Sequence, residues 1–186
     1  MNKKQDCIVS LIDLDDTMKK QSPSKLMRKL HQRVSDFAHN LTRHDEVCFW
    51  QDSVLLLAPV DLTEDSYKRA MNDVKSLKDA IDALHACHAV SVKGRSFPPP
   101  KPLRYNKPRT IYLSASSFAF TNCFTIEKEL KDWEADWYVD SRIIQRIKAR
   151  EGDFTRQIAL LPEGTKPRYV HGYIGSFFPR GQPPVR

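Results

Sequence analysis

No apolar run in this chain approaches the roughly 20 residues that a membrane-spanning helix needs; the longest extends from Val54 to Val60. The first residues, Met-Asn-Lys-Lys-Gln-Asp, lack the apolar core of a secretory leader. The four cysteines, Cys7, Cys48, Cys87 and Cys123, form no Cys-x-x-Cys pair. That spacing argues against a zinc site and against a disulfide framework. It leads us to expect reduced, mostly buried thiols in a cytoplasmic protein. There is no internal repeat, and neither an RNA-binding nor a helix-turn-helix signature.

What is present is ordinary globular composition, with 40% hydrophobic and 28% charged residues among 186. A chain of this length buries one substantial core. We therefore expect a single domain over 1–178, followed by an irregular, proline-rich tail at 179–186. The net charge of +7 favours polyanionic partners, nucleotides and nucleic acids among them. Its plain alternative is solubility. Lys93, Arg95, Lys101, Arg104, Lys107 and Arg109 concentrate charge in and around a stiff, proline-rich loop at 96–108, where Tyr105 offers a stacking surface. Nucleic acid is thus a candidate partner through this loop.

The element order carries more information. Residues 7–14 read as a buried strand. Ser22-Pro23 reads as an N-cap followed by proline in the first turn. Leu26, Leu30, Val34, Phe37 and Leu41 then form one apolar stripe of a helix over 23–42. Two short apolar runs, Glu46–Trp50 and Ser53–Ala58, flank the polar pair Gln51-Asp52 and predict a β-hairpin. Asp61-Leu-Thr-Glu64 has the spacing of a capping box, with Asp61 as N-cap. Tyr67, Ala70, Met71, Val74, Leu77, Ile81 and Leu84 mark a second helix. Strands are expected at 88–92, 109–113, 137–139, 157–161 and 169–174, and helices around 118–133 and 143–147. Trp133 and Trp137 are expected in the core or at a subunit interface. The series β-α-β-β-α-β is the ferredoxin-like, or palm, arrangement, an α+β fold with both helices on one face of a mainly antiparallel sheet.

Chemistry concentrates where the first strand ends in Asp13, Asp15 and Asp16. In a palm arrangement that end lies beside the hairpin turn, so Asp13 and Asp52 approach each other. Two carboxylates at such a junction suit Mg²⁺ and a phosphate. The competing reading is plain turn chemistry, because Asp is a common turn residue. His85 and His88 lie three apart near the end of the second helix. They read as partners of its macrodipole rather than as metal ligands.

Leu11-Ile-Asp13-Leu14 with its following helix, and Phe49-Trp-Gln-Asp52-Ser-Val-Leu-Leu56, resemble the class III nucleotidyl cyclases. The likeness is nearer still to divergent bacterial relatives that include the pyrimidine cyclases of antiphage defence. Val90-Ser-Val-Lys-Gly94 and the stretch Ser116 to Glu127 add to it, so the likeness of order and pattern spans about 7–145. The resemblance implies that Asp13 and Asp52 are the metal aspartates and that the Leu14 carbonyl is a further ligand for Mg²⁺ or Mn²⁺. The implied substrate is a nucleoside triphosphate. Its ribose 3′ hydroxyl would attack the α-phosphate and expel pyrophosphate, in a site formed between the subunits of a head-to-tail homodimer. Asn122 matches the family's asparagine, but Ile126 stands where the family has an arginine that steadies transition-state charge. No lysine–aspartate pair matches the one with which the family reads an adenine, and Lys128 or Arg142 would have to substitute in holding substrate. A catalytically degenerate domain is the corresponding alternative.

Ile12-Asp-Leu-Asp-Asp-Thr-Met18 also resembles the first motif of the haloacid dehalogenase phosphatases. That resemblance implies Asp13 as nucleophile and Asp15 as acid/base. Ser114 would serve as the second motif, and Lys128 or Lys131 as the third. It requires a parallel, doubly wound sheet. A third reading is a non-catalytic palm module that binds nucleic acid or a protein partner.

Overall fold

The computed structural model describes residues 5–17, 23–38, 46–50, 52–96, 118–130, 135–148, 154–160 and 168–173. In chain order the elements are β1 (Gln5–Leu14), α1 (Pro23–Ala38), β2 (Glu46–Trp50), β3 (Ser53–Pro59), α2 (Glu64–Asp82) and β4 (Cys87–Ser96). They continue with α3 (Phe118–Glu129), β5 (Trp137–Asp140), α4 (Ser141–Ile147), β6 (Phe154–Leu160) and β7 (Arg168–Tyr173). One seven-stranded sheet has the order β2-β3-β1-β4-β5-β7-β6. β1 runs antiparallel to both β3 and β4, and β4 with β5 is the parallel pair.

The expected palm core is therefore present as β1-α1-β2-β3-α2-β4. The antiparallel neighbours of β1 overturn the phosphatase reading, because a doubly wound sheet would place parallel strands beside its first strand. The hairpin forms with the expected two-residue turn, Trp50 pairing with Ser53.

The sheet is covered on both faces. Ile8, Ile12, Val54, Leu56, Ala58 and Ala89 pack against α1, α2 and α4, through Leu30, Val34, Met71, Val74, Leu77, Ile143 and Ile147 among others. Val9, Leu11, Leu55, Leu57, Val90 and Val92 pack against α3, through Ala119, Cys123, Ile126 and Leu130. This explains the unbroken apolar run of β3: a strand covered on both faces has no solvent side on which to alternate. The helices of the palm core do share one face, as expected, while α3 lies on the other. Trp137 is buried, and its indole N–H donates to the Ser91 hydroxyl at 2.9 Å. Ser91 also bonds Ser10 across β1 and β4 at 2.7 Å, so this polar group inside the sheet is satisfied.

Three sequence expectations change in detail. The N-cap of α2 is Thr63, whose hydroxyl accepts from the Ser66 N–H at 3.3 Å. Asp61 instead accepts from the Thr63 N–H at 2.7 Å and so shapes the approach to the helix. The fourth strand is twice the expected length, reaching Ser96. α2 ends at Asp82, which puts His85 in the following turn rather than at the helix end, while His88 lies in β4, within the strand expected at 88–92. The 109–113 strand, Ser114, Lys131, Trp133, the tail at 179–186 and the proline-rich loop beyond Ser96 lie outside the described residues. No described helix is long and apolar enough to cross a membrane.

Candidate metal and nucleotide site

The site forms where β1 stops. Alternation along β1 sends Cys7, Val9 and Leu11 to the α3 face, and Asp13, two residues on, shares that face by the strand's two-residue period. Its lateral neighbours are Ser53 on β3 and His88 on β4. The Ser53 hydroxyl donates to one Asp13 oxygen at 2.5 Å, and His88 Nε2 lies 3.7 Å from the other. Glu127 reaches the same place from the last turn of α3. Ligand atoms of Asp13, His88 and Glu127 all lie within 4.8 Å of one another.

The chain then turns sharply. Asp16 takes a left-handed backbone conformation at φ 51°, which Asp tolerates better than most residues with a Cβ. The turn is held to the start of β4 by the Asp15 N–H donating to the Ala86 carbonyl at 2.9 Å, and by His85 Nε2 against the Asp15 carbonyl at 2.6 Å. Thr17, at the end of the turn, donates its hydroxyl to Asp52 at 2.5 Å and so ties the turn to the hairpin. The Asp15 carboxylate meets His88 Nδ1 at 2.5 Å.

The electrostatics follow from this crowding. Burial raises the Asp13 carboxyl above its ordinary range; Ser53 and His88 pull it back, and Asp52 and Asp15 push it further up. Burial also raises Glu127, with Asp13 and Asp52 adding to the rise and His88 and Lys128 opposing it. Partly buried like charges of this kind favour a shared cation. The donor set of carboxylates and one imidazole fits a divalent ion.

Of the residues singled out from sequence, Asp13 and Asp52 come together at the β1–hairpin junction, with Leu14 adjacent to Asp13. Asn122 and Lys128 lie on α3, the helix that also carries Glu127; Asn122 is half-buried and Lys128 exposed. Arg142 does not join this group. Its guanidinium grips Asp140 and donates to the Lys93 carbonyl at 2.5 Å. Lys93 lies five residues along β4 from His88, about 17 Å of strand. Ile126, in the arginine position, is buried in the α3-side core, so packing has taken the place of charge there. Asp15, the acid/base of the phosphatase reading, is committed to His88. Lys93 and Arg95, part of the basic stretch, lie 3.9 and 3.4 Å from Asp6.

Sequence reasoning missed two members of the cluster. His88 reads in sequence as a partner of the helix macrodipole rather than as a ligand, and Glu127 as one acid among many. For His88 a signal existed: it opens an apolar strand that must pair somewhere. For Glu127 there was none, because only the docking of α3 brings it to Asp13. None of the four cysteines is in a disulfide. Burial pushes Cys87 up to about 12 and Cys123 higher still, so neither is a thiolate nucleophile.

No protein-family profile and no curated protein sequence matches the chain. Solved structures do. The guanylyl cyclase Cya2 superposes with a TM-score of 0.64 at 14% identity, over 94% of each chain. The adenylyl cyclase CyaB from P. aeruginosa gives 0.64 at 10% identity, over 94% of this chain and 96% of that one. The catalytic core of a rhodopsin-guanylyl cyclase, solved with ATPalphaS, gives 0.52 at 12% identity, over 91% and 96%. At these identities the likeness is one of fold, and the fold is that of the nucleotidyl cyclase catalytic domain.

Proposed function

We propose that this domain binds a nucleoside triphosphate with Mg²⁺ or Mn²⁺ at the Asp13–Asp52 junction, and that it is a nucleotidyl cyclase of altered activity. The observation that carries the reading is the clustering of partly buried carboxylates at the end of β1 in a cyclase fold. Asp13, Asp52 and the Leu14 carbonyl are the proposed metal-holding groups. A bound divalent ion would offset the charge of the triphosphate. The reaction forms a bond between the ribose 3′ oxygen and the α-phosphorus, breaks the bond from that phosphorus to pyrophosphate, and releases the hydroxyl proton.

Asn122 and Lys128 are the proposed substrate contacts from the same chain, since both ride on the helix that brings Glu127 to Asp13. Arg142, held at the far end of the sheet, would reach a substrate only across a subunit interface. That is consistent with the homodimer implied by the resemblance. The buried Ile126 removes the arginine expected to stabilise transition-state charge, and loss of such a group costs about 3–4 kcal/mol. We therefore expect slow turnover with retained binding. The resemblance to pyrimidine cyclases makes UTP and CTP the first substrates to compare with ATP and GTP.

The test is incubation of the protein with each triphosphate and Mn²⁺, read by mass spectrometry, beside calorimetric binding. The expected result is metal-dependent binding of at least one triphosphate and a cyclic product that the Asp13→Ala/Asp52→Ala variant does not make. Absence of metal-dependent binding for all four triphosphates would overturn the reading. A nucleic-acid role for the basic loop is a separate proposal, which predicts salt-sensitive binding that survives loss of both aspartates.

A further inference from the structure

The hydrogen bonding of His88 sets which of its ring nitrogens faces the cluster. Nδ1 lies 2.5 Å from an Asp15 carboxylate oxygen. A carboxylate only accepts, so Nδ1 carries the proton and donates. In the neutral ring the lone pair then resides on Nε2. That atom faces the Asp13 oxygen that Ser53 does not occupy, 3.7 Å away. In that tautomer both atoms are acceptors, and a metal ion held between them would be bound by both. Glu127 offers a third acceptor: ligand atoms of Asp13, His88 and Glu127 all lie within 4.8 Å of one another. Ligand atoms that each lie about 2.0–2.2 Å from one ion are at most about 4.4 Å apart, so small side-chain rotations would close these three around it.

We propose that Asp13, His88 and Glu127 form a mixed nitrogen–oxygen site for a first-row transition-metal ion, with Asp15 orienting the imidazole. The three groups come from β1, β4 and α3, so the site exists only in the folded chain. A carboxylate that fixes the second nitrogen of a ligating histidine is the usual support for such a ligand. Three protein ligands leave coordination positions open for water or a phosphate oxygen. The imidazole sets the preference. Oxygen-only sites suit Mg²⁺, whereas a nitrogen donor shifts affinity toward Mn²⁺, Co²⁺ and Zn²⁺. Asp13 belongs to this site and to the proposed nucleotide site, but the inference rests on that reading only through this shared residue.

The experiment is titration of the full chain with Co²⁺, Mn²⁺ and Mg²⁺ without nucleotide, followed by calorimetry and, for Co²⁺, by its visible absorption. The protein is expected to bind Co²⁺ and Mn²⁺ at least tenfold more tightly than Mg²⁺ and to develop a Co²⁺ absorption band. His88→Ala and Glu127→Gln should each weaken Co²⁺ binding tenfold or more, while His88→Ala changes Mg²⁺ binding less than threefold. Asp15→Asn should weaken Co²⁺ binding by about 10–100-fold, the usual consequence of losing an orienting partner. Circular dichroism checks that each variant is folded, and Glu127→Gln carries the test if His88→Ala does not fold. Unchanged Co²⁺ affinity in folded His88→Ala or Glu127→Gln, or no saturable Co²⁺ binding by the wild type, would overturn the inference. Co²⁺ binding that is intact while every triphosphate fails to bind would count against the nucleotide reading alone. Turnover that persists with unaltered Co²⁺ affinity in His88→Ala would count against the metal inference alone.

Discussion

The two ends of β1 carry charge in opposite ways. At Asp6 each acid has a cation: Lys93 and Arg95 lie beside Asp6, and Arg142 grips Asp140. At Asp13, about 23 Å along the strand, four carboxylates share one imidazole and the more distant Lys128. The first end is balanced and needs nothing further. The second gathers like charges at the rim of an apolar sheet, an arrangement that costs stability unless a positive ligand repays it. Polar groups that hold a fold together tend to resemble the first end. Groups kept for binding resemble the second.

Three perturbations sharpen this contrast. The largest effect is expected at Gly94, which pairs with Cys7 beside the balanced end and lies under the start of α3. A Cβ added at Gly94 would run into the Ala119 side chain and crowd its backbone, and neither can swing aside. Gly94→Ala should therefore cost about 1–3 kcal/mol in urea denaturation. Because α3 carries Glu127, Co²⁺ affinity should fall as well. Ala119→Gly in the same chain should restore part of both losses, and an undisturbed Gly94→Ala would show that α3 is not seated as described.

The next effect belongs to the balanced end. Asp140 caps α4 through the Arg142 N–H at 2.9 Å and accepts from the Lys93 N–H at 3.3 Å. Asp140→Ala should cost about 1–2 kcal/mol, the value of a helix cap. The Arg142 side chain is 42% exposed, so its guanidinium rehydrates and adds little. Metal binding at Asp13 should not change, and a comparable loss of Co²⁺ affinity would show that the two ends are coupled.

The smallest effect should have the opposite sign. The folded-state pKa of Asp13 is raised, chiefly by burial. The folded protein thus holds that proton more tightly than the unfolded chain does, and ionising Asp13 as pH rises through its folded pKa removes stability. Asp13→Asn keeps a group able to accept from Ser53 without the charge. In metal-free buffer it should melt above the wild type at neutral pH, and the difference should shrink as pH falls below the folded pKa. A variant that melts lower at neutral pH would mean that the charge is already compensated. Excess Mn²⁺ should reverse the order by stabilising the wild type alone.

The elements were legible because their signals are local. The stripe from Tyr67 to Ile81 specifies α2, and Gln51-Asp52 between two apolar runs specifies the hairpin; both appear where expected. Asp13 and Asp52 were legible as a pair because palm connectivity brings the end of β1 to the hairpin. Capping was less so: Asp61, Thr63 and Ser66 compete for the same backbone groups, and only the bonding pattern identifies Thr63 as the cap. Arg142 looked available because a lone arginine in a sequence does not reveal its partner. Asp140 lies only two residues away and grips it.

Sequence by itself therefore determined the order of strands and helices, the palm core and the acidic end of β1, since periodicity and turn chemistry act over a few residues. Tertiary structure alone decided what those acids meet. Antiparallel register put His88 beside Asp13. The packing of α3 on the sheet brought in Glu127, 114 residues further along the chain. Pairing across strands and docking of a helix are long-range events, set by which apolar surfaces can be buried together, and no spacing within the chain records their outcome.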